Sequence, residues 1–321
     1  MAERAISIQP YDESRDIAAA YDLWQAALAG TWPLEFTRFQ KVLNDPEAQH
    51  FVVREGDRLI GFAATLTGRL GAGRAGHLLA LLVAPDKQRQ GIGSALHEAA
   101  LHHLQTAQVS FLQLGGIIPR FWCGLPTNLS AAKPFFMQHG WEFSNNVFDL
   151  VQDLSNYATP AYLHTRMEKE QIRFETATSQ SIDELLAFEE REFANWRAHY
   201  ELCASLGDYQ DLLIARDTSQ NIVGALLMYT PNSNLNRTDL IWQQLLGHDA
   251  GAMGSVGVAE SERGRGIGLG LVARASELLK ERGVRNCYID WVELTDFYGK
   301  VGYTKWREYS LSWREAGTMQ I

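Results

Sequence analysis

The chain says nearly the same thing twice, in the same order. Residues 83–96 run Val-Ala, a charged turn, then Gln88, Gly91 and Gly93; residues 258–271 repeat this with Arg263, Gly266 and Gly268. Each block follows an apolar, strand-like run, His77 to Val83 in one copy and Ala252 to Val258 in the other. Each opens a helix, marked by Ile92, Ala95, Leu96 and Ala99 and by Ile267, Leu271, Val272, Ala275, Leu278 and Leu279 at helical spacing. Gly283 is placed to end the second helix. Downstream, Phe135 to Trp141 parallels Phe297 to Tyr303. Upstream, Phe51–Val53 with Ile60–Ala64, and Leu213–Ala215 with Ile222–Leu227, read as hairpins. The spacing between matched blocks differs, so this is a duplication and not a solenoid.

The repeat predicts two similar α/β (α+β) domains. With 321 residues, 46% hydrophobic, the chain has apolar material for two cores. Val147 to Leu154 alternates as a strand closing the first copy should, Ser155 to Pro160 is turn-rich, and Arg173–Thr176 resembles Ala5–Ile8 as an opening strand. The expected limits are 1–155 and 166–321. A net charge of −9 disfavours a nucleic-acid partner. No apolar run reaches the ~18 residues that span a bilayer, and Met1–Arg4 lead into polar sequence without a signal segment, so no membrane association and a cytoplasmic location are expected. Cys123, Cys203 and Cys287 are scattered, and the histidines lack ligand spacing, so no metal is expected.

A strand that ends in a glycine turn and starts a helix presents unpaired N–H groups at a positive dipole end, a site for phosphate. A Walker loop needs Lys-Ser/Thr after its last glycine, and neither copy has it. A dinucleotide fingerprint needs a third glycine where Leu96 and Leu271 stand. Both copies fit Gln/Arg-x-x-Gly-x-Gly.

With the preceding strand and the aromatic segment downstream, this loop resembles the pyrophosphate loop of the GCN5-related N-acetyltransferase (GNAT) superfamily, and the resemblance covers most of both halves. It implies two tandem domains, each a mixed, splayed, mostly antiparallel sheet flanked by helices, with acetyl-CoA as co-substrate. In copy two it places Val256, Gly257 and Val258 along the pantetheine, and Arg263, Gly264, Arg265, Gly266, Ile267, Gly268 and Leu269 around the pyrophosphate. Acetyl transfer needs a neutral amine, a stabilised oxyanion and a protonated leaving thiolate. The family's usual proton donor matches Tyr298; copy one has Phe136 there, which makes the second domain catalytic and the first degenerate, structural or substrate-shaping. Asp290 is the candidate base, ahead of Asp296 and Glu293. The family's Asn seven residues before the Tyr is replaced by Trp291, whereas copy one has Asn128 before Ala132 and Phe136.

The acceptor is read as a small-molecule amine. The aromatic insertion Arg120–Asn128, with Trp122, and the Trp24 and Trp32 segment suit a sugar ring or ordinary packing. Trp291, Asp296 and Trp122 are the candidate acceptor contacts. The combination resembles tandem acetyltransferases acting on glucosamine and glucosaminides. Mycothiol-type or aminoglycoside acetylation and a non-catalytic acetyl-CoA sensor stand as alternatives.

Overall fold

The computed structural model describes residues 6–70, 73–116, 120–234, 236–237 and 241–317. Met1–Ala5 lie outside them, including Ala5 of the expected opening strand. The chain forms two compact units, Met1–Val147 with Glu308–Ile321, and Phe148–Arg307.

The first unit begins with β1 (Ile8–Pro10), α1 (Glu13–Leu28), α2 (Phe36–Leu43), β2 (Ala48–Glu55), β3 (Arg58–Leu70) and β4 (Gly73–Val83). It continues through α3 (Ile92–Thr106), β5 (Phe111–Leu114), β6 (Leu125–Pro126) and α4 (Ala132–Gln138) to the start of β7 (Asn146–Asp153). The second unit carries α5 (Ala161–Glu170), β8 (Arg173–Thr176), α6 (Ile182–Glu192), α7 (Arg197–Ser205), β9 (Leu212–Arg216), β10 (Ile222–Tyr229) and α8 (Gln243–Leu246). There follow β11 (Gly251–Val258), α9 (Ile267–Glu281), β12 (Asn286–Val292), α10 (Thr295–Gly299) and β13 (Thr304–Ser310), and the chain closes with β14 (Trp313–Glu315).

The sheet of the first unit runs β1-β2-β3-β4-β5-β14, and that of the second β8-β9-β10-β11-β12-β7-β13. Both are mostly antiparallel, with one parallel pair each, β4 with β5 and β11 with β12. Both expected hairpins form. Gly283 takes a φ of +85°, the left-handed geometry expected of a residue just past a helix end.

The unit limits differ from 1–155 and 166–321 because the closing strands are exchanged. From Phe148 onward β7 pairs antiparallel with β12 of the second sheet, while Trp313–Glu315 pairs with β5 of the first. Each copy ends at the same kind of edge, a strand whose outer side wants an antiparallel partner, so the closing strand of either copy fits either edge. This is domain swapping carried out inside one chain.

In the second unit α9 lies against β9, β10 and β11. Leu271, Val272, Ala275 and Leu279 meet Leu226, Met253, Ile289 and Leu150 in one buried cluster. Fully burying such side chains contributes about 1.5–3 kcal/mol each, and this fastens the helix that follows the glycine loop to the sheet. The first unit buries Trp24, Trp32, Phe39, Phe62 and Phe121.

Candidate active site

In the second unit β11 and β12 are paired only at Gly251↔Cys287 and Ala252↔Tyr288. Beyond that point β11 stays with β10 as far as Val258↔Gly224, and β12 stays with β7 as far as Val292↔Phe148. The two parallel strands therefore part, leaving the facing edges of Met253–Val258 and Ile289–Val292 without a ladder. Backbone N–H and C=O groups on such an edge are obligatory hydrogen-bonding groups whose partners come from outside a ladder.

Each wall of this wedge carries a bulge. Between Ala225↔Gly257 and Leu227↔Gly254 β11 has one residue more than β10, and Ser255 takes a φ of +49°. Between Ile289↔Leu150 and Val292↔Phe148 β12 has one more than β7, and Trp291 takes a φ of +51°. Left-handed backbone at a non-glycine residue costs on the order of 1–3 kcal/mol and persists where the surroundings over-determine it. Here the fastenings are visible. The Tyr200 hydroxyl of α7 donates to the Ser255 carbonyl at 2.8 Å. The Trp291 N–H donates to Oδ1 of buried Asp149, on β7, at 3.4 Å. The second bulge carries Asp290 at the mouth of the wedge.

At the end of β11 the glycine loop turns into α9. Gly264 and Gly266 have φ of +83° and +87°, conformations that only glycine adopts without strain, and the helix starts at Ile267. The N–H groups of this turn lie at the positive end of a 15-residue helix. Of the two arginines expected here, Arg265 is held by Glu170 and Glu262 and Arg263 reaches back to the Val258 carbonyl. Arg166 of α5, absent from the sequence reading, donates to the Gly264 carbonyl at 2.6 Å, and its Nε would stand 2.7 Å from a Cβ on Gly266. Gly268 faces Phe297, whose Cζ would be 3.2 Å from an added Cβ, so the short helix α10 packs onto the start of α9. Gly257 faces Phe193, whose ring would stand 2.5 Å from such a Cβ, and Phe193 stacks on Trp196 at 4.9 Å. An aromatic wall thus covers one side of β11.

Tyr298 sits on α10, edge-on to Phe297 at 4.9 Å and to Tyr303 at 6.5 Å. Burial first, and the Asp290 carboxylate second, push its phenol up to about 12. The structure therefore brings Tyr298 within the field of Asp290, and the phenol keeps its proton at any physiological pH. Glu293 and Asp296 are exposed, Asp296 in the first turn of α10, where an acid also suits the helix dipole. Trp291 is half-buried. Trp122 lies in the core of the first unit, stacked on Trp24 at 5.0 Å and edge-on to Trp32 at 5.8 Å; there its ring is packing material.

The first unit has its own parting of strands, β4 leaving β5 after Leu78↔Leu114. The Gly115 N–H donates to the Leu78 carbonyl at 2.9 Å, Gly116 lies against Leu79, and its N–H meets the Trp122 carbonyl at 2.9 Å. The place of Tyr298 is taken by buried Phe136.

A splayed parallel pair, a bulged strand, a glycine loop and a Tyr within the field of an Asp fit the match to the acetyltransferase (GNAT) family model, over residues 17–121 and 175–303. The chain belongs to this family. It carries the family's unit twice, and the duplicated match agrees with the two units. Among solved structures it resembles the GCN5-related glucosamine N-acetyltransferase region of a fungal multi-domain GH3 β-N-acetylglucosaminidase, with a TM-score of 0.92 and 38% identity over 97% of this chain. The chain spans 38% of that protein's length. A GCN5-related N-acetyltransferase from Sphaerobacter thermophilus has a TM-score of 0.70 at 19% identity, covering 97% of this chain and 96% of the other. A tandem GNAT protein from the clavulanic acid biosynthesis pathway has 0.66 at 17%, covering 98% and 100%. These two share the fold. Comparison with curated proteins gives no match.

Among the described residues no cluster of His, Cys, Asp and Glu has the makings of a metal site, and no helix is long and apolar enough to cross a membrane.

Proposed function

We propose that the second unit transfers an acetyl group from acetyl-CoA directly to the primary amine of an amino sugar, glucosamine or a glucosaminide. The observation that carries the acetyl-CoA part is the wedge: an unpaired β11 edge running into a glycine turn suits a chain of amides followed by a pyrophosphate. Val256, Gly257 and Val258 bind the amides, and the N–H groups from Gly264 to Leu269 bind the pyrophosphate, with Arg263, Arg265 and Arg166 supplying positive charge. When bound, acetyl-CoA supplies a thioester carbonyl open to attack by an amine.

Asp290 takes the proton of the attacking amine, directly or through one water. A backbone N–H at the end of β11 stabilises the negative charge that grows on the carbonyl oxygen. Tyr298 donates a hydrogen bond to the departing sulfur, and the proton that leaves the amine ends on the thiol of coenzyme A. The new C–N bond replaces the C–S bond, and the products are an acetamide and coenzyme A. The first unit, with Phe136 in the place of Tyr298, is structural in this reading. The fungal glucosamine N-acetyltransferase region supports the acceptor assignment, with Trp291 and Asp296 at the acceptor end of the wedge. We place the reaction in the cytoplasm, in keeping with three buried cysteines that form no disulfide.

The test is coenzyme A release with glucosamine, chitobiose, an aminoglycoside and a peptide amine as parallel acceptors. Turnover confined to the two sugars is the expected result. Turnover confined to the peptide or the aminoglycoside overturns the acceptor, and no binding of acetyl-CoA overturns the site.

A further inference from the structure

Behind the β11 bulge lies a carboxyl group that the proposed chemistry does not use. Glu189, on α6, is completely shut off from solvent, neither of its carboxyl oxygens makes a hydrogen bond among the described residues, and the Tyr200 hydroxyl is a polar group beside it. A buried carboxylate in that position is strongly disfavoured, and burial raises its pKa to about 8. The other groups around the pair are few. Tyr200 also feels Tyr229 on β10 and the Cys203 thiol on α7. On the same helix Glu192 is turned to the Glu260 N–H and to Arg191.

The hydrogen bonds in this cluster have a direction. A tyrosine has one O–H, and that of Tyr200 goes to the Ser255 carbonyl. Any hydrogen bond between Glu189 and the Tyr200 oxygen must then be donated by the carboxyl, and only a protonated carboxyl can donate.

We infer that Glu189 is a positioning residue that locks the β11 bulge when protonated and releases it when ionised. Protonated, it completes a chain from the Glu189 O–H to the Tyr200 oxygen and from the Tyr200 O–H to the Ser255 carbonyl. Ionised, it becomes an acceptor, takes the Tyr200 hydrogen for itself, and leaves the Ser255 carbonyl without its donor. The strand so loosened carries Val256–Val258, so alkaline pH weakens the acetyl-CoA site from behind. The effect on acetyl-CoA rests on the function proposed above; the effect on the strand does not.

The experiment measures amide hydrogen exchange of the segment 252–258 in the full-length, ligand-free protein at pH 7 and pH 9, beside Glu189→Gln and Tyr200→Phe. Gln keeps a donor toward Tyr200 and has no charge to gain. After normalising each pH for the intrinsic rate, the segment should exchange at least threefold faster at pH 9 in the parent protein. It should show no such rise in Glu189→Gln, and should be fast at both pH values in Tyr200→Phe. Equal normalised exchange at the two pH values in the parent, or the same rise in Glu189→Gln, overturns the inference. Acetyl-CoA affinity measured alongside should fall between pH 7 and 9 in the parent and stay flat in Glu189→Gln. A failure of acetyl-CoA to bind at either pH would strike the proposed function and leave the exchange result standing.

Discussion

Replacing Tyr298 with Phe removes one oxygen and leaves the ring that packs against Phe297 and Tyr303. The size of the effect follows from the phenol's environment. At about 12 the phenol is a weak acid beside an ordinary thiol of about 8.5, so complete proton transfer to the departing sulfur runs uphill. The hydroxyl acts mainly as a hydrogen-bond donor to a growing negative charge. Such a bond contributes about 1.5–3 kcal/mol, and at about 1.4 kcal/mol per decade its loss lowers kcat about 10- to 150-fold. KM for acetyl-CoA should be nearly unchanged, because the hydroxyl meets the sulfur only as the bond breaks. The phenol should not titrate below pH 10, so its loss lowers the whole pH–rate profile without moving its alkaline limb. Coenzyme A release at saturating acceptor from pH 6 to 10 reads all three. A kcat within threefold of the parent would make Tyr298 a packing residue and refute the reasoning.

Further expectations concern binding and stability. Gly266→Ala forces a left-handed alanine against Arg166 and should weaken acetyl-CoA binding about tenfold, from the roughly 1–2 kcal/mol such a residue costs; Gly283→Ala, with the same positive φ and open space around it, should lower the melting temperature and spare affinity in calorimetry. The stoichiometry in the same titration should be one acetyl-CoA per chain if the first unit is structural, as proposed; a value of two would show that the loop from Gln88 to Gly93 also binds. A Glu189 carboxyl raised to about 8 when folded adds stability that is complete below the unfolded value, near 4.3, and is lost as pH rises toward 8, with a slope of at most about 1.4 kcal/mol per pH unit. The urea midpoint of Glu189→Gln should therefore gain on the parent between pH 5 and 8. Trp122→Ala should cost about 3–5 kcal/mol of folding free energy, read as a fall in the denaturation midpoint.

What could be read from the residues was what they carry locally. Glycines needing positive φ, helical spacing after them and alternation before them are short-range requirements, and the two loops, their helices and both hairpins stand where those signals put them. Tyr298 stood out by its match to the family's proton-donor position, and the duplication supplied a control in Phe136. The residues that escaped reading act across long stretches of chain. Asp149 reaches Trp291 from a strand of the other copy, Arg166 reaches Gly264 from the helix after the linker, and Tyr200 reaches Ser255 from α7. No spacing rule announces such meetings. The two bulges were hidden for a related reason: Ser255 and Trp291 hold left-handed backbone without being glycine, and the fastening that keeps them there is tertiary.

The exchanged strands show how far pattern alone can go. Val147 to Leu154 alternates as a closing strand must, and alternation fixes which face is buried but says nothing about which sheet supplies the neighbour. Because duplication gave both copies equivalent edges, local pattern left the pairing open by a factor of two. The choice that was made brings Asp149 to the second sheet, directly behind the bulge that carries Asp290. If the first copy's strand had closed its own sheet, the Trp291 N–H would face whatever the second copy's own strand offered at that register. On the function proposed above, the first copy thus contributes a buried carboxylate behind the catalytic strand, a physical reason for a chain to keep a copy that has Phe136 where the second has Tyr298.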